Sequence, residues 1–156
     1  MSSENSSLGQ GGSESDYQQY STFKVADRLY GIDVTAVQEV VRSMAMTPIP
    51  LAERYVKGLI NLRGQVATAI GMHELFGFEK PTSAEAMNVV CKCEGNLISL
   101  LVDEIGDVME VPKQNFEPTP QTVAGDVKRF MVGVYKIPGN LLSIIDTEKV
   151  LDYLNK

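Results

Sequence analysis

A chain of 156 residues with 44% hydrophobic and 22% charged side chains has the composition of a soluble globular protein, long enough for one ordinary domain or two very small ones. The formal net charge of −6 argues against non-specific nucleic-acid binding and against a basic membrane-surface patch, since both need clustered lysine and arginine. No stretch approaches the roughly 20 apolar residues that cross a bilayer, and the polar N-terminus lacks the apolar core of a signal peptide, so a cytoplasmic location is expected.

The first sixteen residues predict a disordered tail. Residues 1–16 contain six serines and three glycines and show no periodic apolar pattern, so they lack the side chains that a folded segment buries. We expect one folded domain over residues 17–156.

An internal repeat is the most informative feature of the folded region. A shift of 68 positions places residues 21–25 on residues 89–93 with the same alternation, and after an insertion the shift becomes 75 positions. The copies span about residues 20–78 and 87–154. The identical pairs include Leu29/Leu97, Val34/Val102, Val40/Val108, Pro50/Pro118, Gly58/Gly133, Gly64/Gly139 and Ile70/Ile145.

Each copy predicts two β-hairpins. Alternating segments at 22–25 and 29–32 flank a polar turn, and the second copy repeats this pattern around residues 94–96. The later hairpins turn at residues 61–64 and 136–140.

Helical turns are predicted between the hairpins and at the end of each copy. Val37, Val40 and Val41 have the i, i+3, i+4 spacing of a helix, and Thr35 with Gln38 would form a capping box before them. The second copy repeats the spacing at Ile105, Val108 and Met109. The terminal helices are expected over residues 72–76, with Gly77 as the stop, and after a cap at Asp146 or Thr147, where Val150, Leu151 and Leu154 would be buried.

Two hairpins and one connecting strand give about five strands per copy, so the predicted fold class is all-β. A sheet of this size removes its open edges by closing into a small barrel, which predicts two barrels packed side by side, with short helices that include a C-terminal one. Whether each barrel uses only its own repeat or exchanges strands with the other is left open by the sequence.

Few residues could support catalysis or metal binding. His73 is the only histidine, and its neighbours show neither a nucleophile nor an orienting carboxylate, so we interpret it as a surface or packing residue. Cys91 and Cys93 cannot supply the roughly four ligands of a zinc site, and they align with the apolar Phe23 and Val25, which predicts buried, free thiols.

The acidic pair Asp103-Glu104 is interpreted as part of a solvated face. The sequence contains no phosphate-binding loop and no nucleophile elbow. We therefore expect no enzyme, no cofactor and no metal.

Differences between the copies indicate where a specific task lies, because residues needed only to build the fold tend to recur. Gly64 recurs as Gly139, as a turn that needs a permissive backbone requires. Arg63 is replaced by Pro138, and Asn61 becomes Lys136. A guanidinium at a hairpin tip is well placed to contact a partner.

The segment at residues 57–66, KGLINLRGQV, resembles the strongest signature of the CheW family, a Gly-Val/Leu-Ile-Asn-Leu-Arg-Gly run. The resemblance covers about residues 18–154, and it extends to residues 29–34, 37–40, 100–103, 117–120 and 141–146.

This resemblance implies two SH3-like five-stranded barrels and a non-enzymatic adaptor of bacterial chemotaxis. The family joins the regulatory domain of the histidine kinase CheA to the cytoplasmic hairpin tip of chemoreceptors, the methyl-accepting chemotaxis proteins. An apolar groove would receive the helical tip. The protein, a monomer on its own, would join receptor–kinase arrays at the inner membrane without inserting into it. Carried over by position, receptor contact is expected at Val37, Glu39, Gly58, Leu62 and Arg63.

One departure from the family pattern stands out. The family continues from the second hairpin into Val-Ile-Asp-Leu-Arg, whereas this chain has Gly71, Met72 and His73, and only the second copy keeps an aspartate, Asp146. Loss of a capping aspartate would weaken the short helix by about 0.5–2 kcal/mol.

Two other functions stay open. The first is a related coupling module in a CheA-like signalling system outside chemotaxis. The second is a small enzyme or ligand-binding barrel, which the lone histidine and the missing ligand sets disfavour.

Overall fold

The computed structural model describes residues 16–123 and 125–155. The predicted disordered tail, apart from Asp16, lies outside the described residues. The first repeat forms β1 (Tyr17–Val25), β2 (Arg28–Asp33), β3 (Val37–Val41), β4 (Val56–Leu62), β5 (Gln65–Gly71) and helix α1 (Met72–Leu75). The second repeat forms β6 (Met87–Cys93), β7 (Asn96–Val102), β8 (Glu104–Pro112), β9 (Met131–Ile137), β10 (Asn140–Ile145) and helix α2 (Thr147–Leu154). Short 3-10 helices lie at Val34–Ala36, Lys113–Asn115 and Asp126–Phe130.

The strands form two five-stranded sheets, which confirms the predicted all-β class. Sheet one has the order β9-β10-β2-β1-β8, and sheet two has the order β3-β6-β7-β5-β4. Each sheet therefore combines the first hairpin of one repeat with the three remaining strands of the other. Parallel pairs join the two contributions, with Ser143 opposite Tyr30 in sheet one and Ile70 opposite Leu100 in sheet two. The question that the sequence left open is answered in favour of strand exchange.

Both sheets close through an isolated bridge beside a recurring glycine. Thr47, which follows β3, pairs with Leu59 of β4, and Glu117, which follows β8, pairs with Val134 of β9. A Cβ at Gly58 would lie 2.7 Å from the carbonyl oxygen of Thr47, and a Cβ at Gly133 would lie 2.5 Å from that of Glu117. Because both obstacles are backbone atoms, only glycine lets the closing segments approach.

The predicted helical turn between the hairpins is wrong in both repeats. Val37–Val41 and Glu104–Pro112 are strands, and in β3 half-buried residues alternate with exposed ones. In β8, Ile105 and Val108 are exposed; the repeat aligns these residues with Val37 and Val40. The predicted capping box of Thr35 and Gln38 is wrong as well. Asp33 caps the short 3-10 helix instead, and its carboxylate accepts the Thr35 N–H at 2.9 Å, while Gln38 lies in β3. Val37 and Val41 fit the period of a strand as well as that of a helix, and pairing with the neighbouring strand decides for the strand.

The largest hydrophobic cluster joins both sheets into one core. Phe23 and Tyr30 from sheet one pack in the same cluster as Val89 and Leu100 from sheet two. Helix α2 begins at the predicted Asp146 cap, whose carboxylate accepts the Glu148 N–H at 2.8 Å, and it buries Val150 and Leu151 in the cluster.

Cys91 and Cys93 are free and buried in this core, as predicted. Burial, with a smaller contribution from Cys93, raises the pKa of the Cys91 thiol to about 12. Burial also raises the pKa of Cys93.

We predict that neither repeat folds alone. Fragments 17–86 and 87–155 each lack strands from both sheets and would expose the faces that carry Phe23 and Leu100. Each fragment should unfold without a cooperative thermal transition, and mixing the two should restore one. A sharp transition in either fragment alone would show that a repeat closes on its own hairpin.

We also predict that both thiols are protected in the native protein. The thiolate is the reactive form, and a buried thiol of raised pKa forms little of it at pH 8. A thiol reagent should label Cys91 and Cys93 only after denaturation, and single cysteine-to-alanine variants assign each signal. Rapid labelling of the native protein would place these side chains at the surface.

Candidate functional site

Arg63 occupies the tip of the β4–β5 hairpin. Leu62 pairs with Gln65, so Arg63 and Gly64 form a two-residue loop, with φ values of 52° and 87°. Positive φ at both positions is the signature of a type I′ turn, which matches the twist of paired strands. A side chain with a Cβ costs about 1–2 kcal/mol in this left-handed conformation. Arg63 is therefore held in an unfavourable backbone conformation, with its side chain 75% exposed.

The guanidinium of Arg63 is paired with the carboxylate of Glu39 on β3. The pair bridges the two edge strands of sheet two, which the closure at Thr47 and Leu59 brings together. The Glu39 side chain is 19% exposed, so the carboxylate lies against the protein while the guanidinium faces solvent. A β-bulge between Val37 and Glu39 changes the register of β3 at this place.

The other three predicted contact residues lie at or beneath this surface. Val37 is half-buried and packs against the main core. Leu62 is 4% exposed and belongs to a second hydrophobic cluster, which also contains Ile60, Ala67, Ala69, Ala86, Val90 and Leu101. Gly58 is buried beneath Thr47 and recurs as Gly133, which marks it as a closure residue. Leu62 and Gly58 thus support the shape of the surface, and Glu39 and Arg63 present its charges.

His73 is buried, and it joins the two sheets. The residue is 3% exposed, and Nε2 lies 2.8 and 3.0 Å from the two carboxylate oxygens of Asp103. Asp103 stands between β7 and β8, where the chain passes from sheet two to sheet one. Its carboxylate also accepts the Ala26 N–H at 2.8 Å, and its own N–H donates to the Lys24 carbonyl at 2.9 Å. The interpretation of Asp103 as part of a solvated face is wrong, because these contacts bind it to the sheet junction.

The missing cap of α1 is replaced from the linker between the repeats. Gly71 makes no side-chain capping bond, but the Thr82 hydroxyl accepts the His73 N–H at 3.3 Å and donates to Glu74 at 2.6 Å. His73 stands second in its helix, as Glu148 does in the helix that Asp146 caps. A Cβ at Gly71 would lie 2.3 Å from the Glu74 carboxylate. The glycine therefore leaves room for this carboxylate at the place where Thr82 binds it. The sequence could not reveal Thr82, because it lies outside the helix.

Lys57 completes this network through an ion pair with Glu74 at 2.7 Å. Burial by itself raises the pKa of Glu74. The Lys57 ammonium and the hydroxyl and N–H of Thr82 outweigh this effect, and the pKa stays below its ordinary value. The network is therefore built for an ionised carboxylate.

Nothing in the described ranges resembles a metal centre, since no three His, Cys, Asp or Glu side chains lie close enough together to hold an ion. No helix within residues 16–123 or 125–155 is long and apolar enough to cross a membrane. The exposed features of the candidate site are the hairpin tip and its ion pair, which suit contact with another macromolecule.

We predict that Thr82 stabilises α1. Thr82→Val keeps the shape of the side chain but removes the acceptor for His73 and the donor to Glu74. The free energy of unfolding should fall by about 1–2 kcal/mol, as for loss of an N-cap. Chemical denaturation measures this change.

Ser83→Ala is the matched control for the Thr82 variant. The Ser83 hydroxyl accepts only the nearby Glu85 N–H, at 3.0 Å, so this substitution should have little effect on α1. Equal losses in the two variants would contradict the linker cap.

Comparison with known proteins places the chain in a family. Residues 19–155 match the family model described as CheW-like domain. The chain is 28% identical to the Chemotaxis protein CheW of Treponema pallidum, over 83% of this chain and 79% of that protein. It is 30% identical to the Chemotaxis protein CheW of Bacillus subtilis, over 83% and 84% of the two chains. The crystal structure of the scaffolding protein TtCheW from Thermoanaerobacter tengcongensis matches with a TM-score of 0.75 at 29% identity, over 83% of this chain and 84% of that one. The chain belongs to the CheW family of chemotaxis coupling and scaffold proteins.

Proposed function

We propose that this protein couples chemoreceptors to the histidine kinase CheA, and that its receptor contact is centred on Glu39 and Arg63. Membership of the CheW family supports the adaptor role. The choice of site rests on Arg63. Its guanidinium is exposed at a hairpin tip, and its backbone has a positive φ that the equivalent residue of the second repeat does not share. Receptor binding would recruit the protein to receptor clusters at the inner membrane.

The ion pair with Glu39 holds the Arg63 guanidinium at the surface, and opening this pair takes little free energy. An exposed ion pair contributes about 0–1 kcal/mol to stability, so opening or rearranging it costs little. A charge-assisted hydrogen bond that is shielded from water in a complex contributes about 1.5–3 kcal/mol. A receptor carboxylate or carbonyl that replaces Glu39 as the partner of Arg63 therefore favours the complex.

The remaining predicted residues would shape this contact. Val37 offers apolar surface next to the charged pair, and Leu62 fixes the strand that ends at Arg63. Gly58 holds the closing segment at Thr47 on β4. A helical receptor tip would lie against this surface, while the regulatory domain of CheA would bind elsewhere on the same rigid pair of sheets. Receptor shifts could then bias kinase activity without chemistry in the adaptor.

Arg63→Ala should weaken binding of a chemoreceptor hairpin fragment roughly ten-fold or more, because one charge-assisted contact is lost. Receptor-dependent activation of CheA should fall in parallel. The melting temperature should move little, because the lost ion pair is exposed. Calorimetric titration and thermal unfolding of the same sample measure both quantities.

Lys136→Ala is the matched control, because Lys136 lies near the tip of the equivalent hairpin in the second repeat. Its side chain is also 75% exposed, and it faces Glu117 at 3.6 Å. This variant should bind the receptor fragment normally, so equal affinities for the two variants would remove Arg63 from the site. Exchanging the charges, with Glu39→Arg and Arg63→Glu together, should restore the internal pair but leave receptor binding weak.

A further inference from the structure

In the turn that presents Arg63, a side chain of the preceding strand binds the second loop residue. In a two-residue turn of this type, the second loop residue has an N–H that the strand ladder leaves without an acceptor. Here that residue is Gly64, and the Asn61 side-chain oxygen accepts its N–H at 2.9 Å. Asn61 lies on β4, opposite Val66, with its side chain exposed. The bond therefore links the end of the strand directly to the turn.

The other three hairpins hold their turns differently. The Ala26-Asp27 turn also has two positive φ values, but it is held by Asp103 from the sheet junction. At the Glu94-Gly95 turn, Asn96 donates to the Glu94 carbonyl at 3.2 Å. At the turn equivalent to that of Arg63, Pro138 restricts its own φ to negative values, and Lys136 replaces Asn61. Asn61 and Arg63 thus occur together in one repeat and are both absent from the other.

We infer that Asn61 is a positioning residue for Arg63. By accepting the Gly64 N–H, it favours the turn in which Arg63 adopts its left-handed conformation. That backbone conformation directs the guanidinium across the closed edge of sheet two to Glu39. Without the bond, the turn samples other backbone conformations, in which the Arg63 side chain points in a different direction. The effect of Asn61 on receptor binding rests on the proposed function, whereas its effect on the turn does not.

Asn61→Ala should weaken receptor-fragment binding roughly three- to ten-fold, the range expected for the net loss of one hydrogen bond. Asn61→Asp keeps an acceptor at the same distance from the backbone and should restore most of the affinity. In the Arg63→Ala background, Asn61→Ala should cause no further loss, because a residue that acts through Arg63 has nothing left to position. Asn96→Ala, at another hairpin turn of the same sheet, is the matched control and should bind normally.

Two readouts test the turn without a receptor. Hydrogen exchange of the Gly64 amide should accelerate in Asn61→Ala and return towards the wild-type rate in Asn61→Asp. The coupling between Glu39 and Arg63, from a double-mutant cycle in thermal unfolding, should shrink in the Asn61→Ala background. Unchanged exchange and unchanged coupling would overturn the inference.

The failures of the two proposals are distinguishable. If Arg63→Ala leaves receptor affinity unchanged, the proposed receptor site fails, while the exchange and coupling measurements still decide the role of Asn61. If Arg63→Ala weakens binding and Asn61→Ala does not, the positioning role is overturned and the receptor site stands. An equal loss from Asn61→Ala with and without Arg63 would assign Asn61 a contact of its own, which also overturns the inference.

Discussion

At Gly58 and Gly133 two backbones come so close that no side chain fits between them, and both sheets close at these points. The rest of the architecture depends on this close approach. Closure removes the open edges that a five-stranded sheet would otherwise present to other chains. It also places residues of one edge beside residues of the other, and each repeat has an ion pair there. Glu39 meets Arg63 in sheet two, and Glu117 meets Lys136 in sheet one.

The exchanged hairpins make the two sheets one folding unit. Each sheet buries its face with strands from both repeats, and the main cluster runs through both. The crossing from β7 to β8 is fixed by Asp103, which binds Ala26 of one sheet and His73 of the helix that follows the other. A scaffold needs its contact surfaces at constant relative positions, and a shared core with a bonded crossing provides this rigidity.

The repeats share a frame but differ in what they present. The second repeat turns through Pro138 and Gly139, and the first turns through an arginine in a conformation that costs free energy. Strain of this kind persists where surrounding bonds compensate for it, and here the Asn61 bond and the Glu39 pair do so. The Glu39 pair is an exposed interaction, so opening it would leave the buried frame undisturbed. The division between a strained, polar tip and a rigid core suits a member of a family of scaffold proteins.

Much of the fold could be predicted from the sequence, because local patterns report local structure. Alternation over residues 22–25 indicated a strand, its copy placed Cys91 and Cys93 in the core, and Asp146 marked the start of the last helix. Other features depended on residues distant along the chain. The segment Val37–Val41 satisfied a helical spacing and became a strand because β6 pairs with it. Thr82 caps a helix to which it does not belong, and Asp103 binds a sheet junction that exists only after hairpin exchange. Local sequence patterns were therefore enough to predict the hairpins, their turns and the last helix. The pairing of strands within each sheet and the side-chain contacts at the sheet edges could not be predicted, because they arise from closure between segments that no local pattern connects.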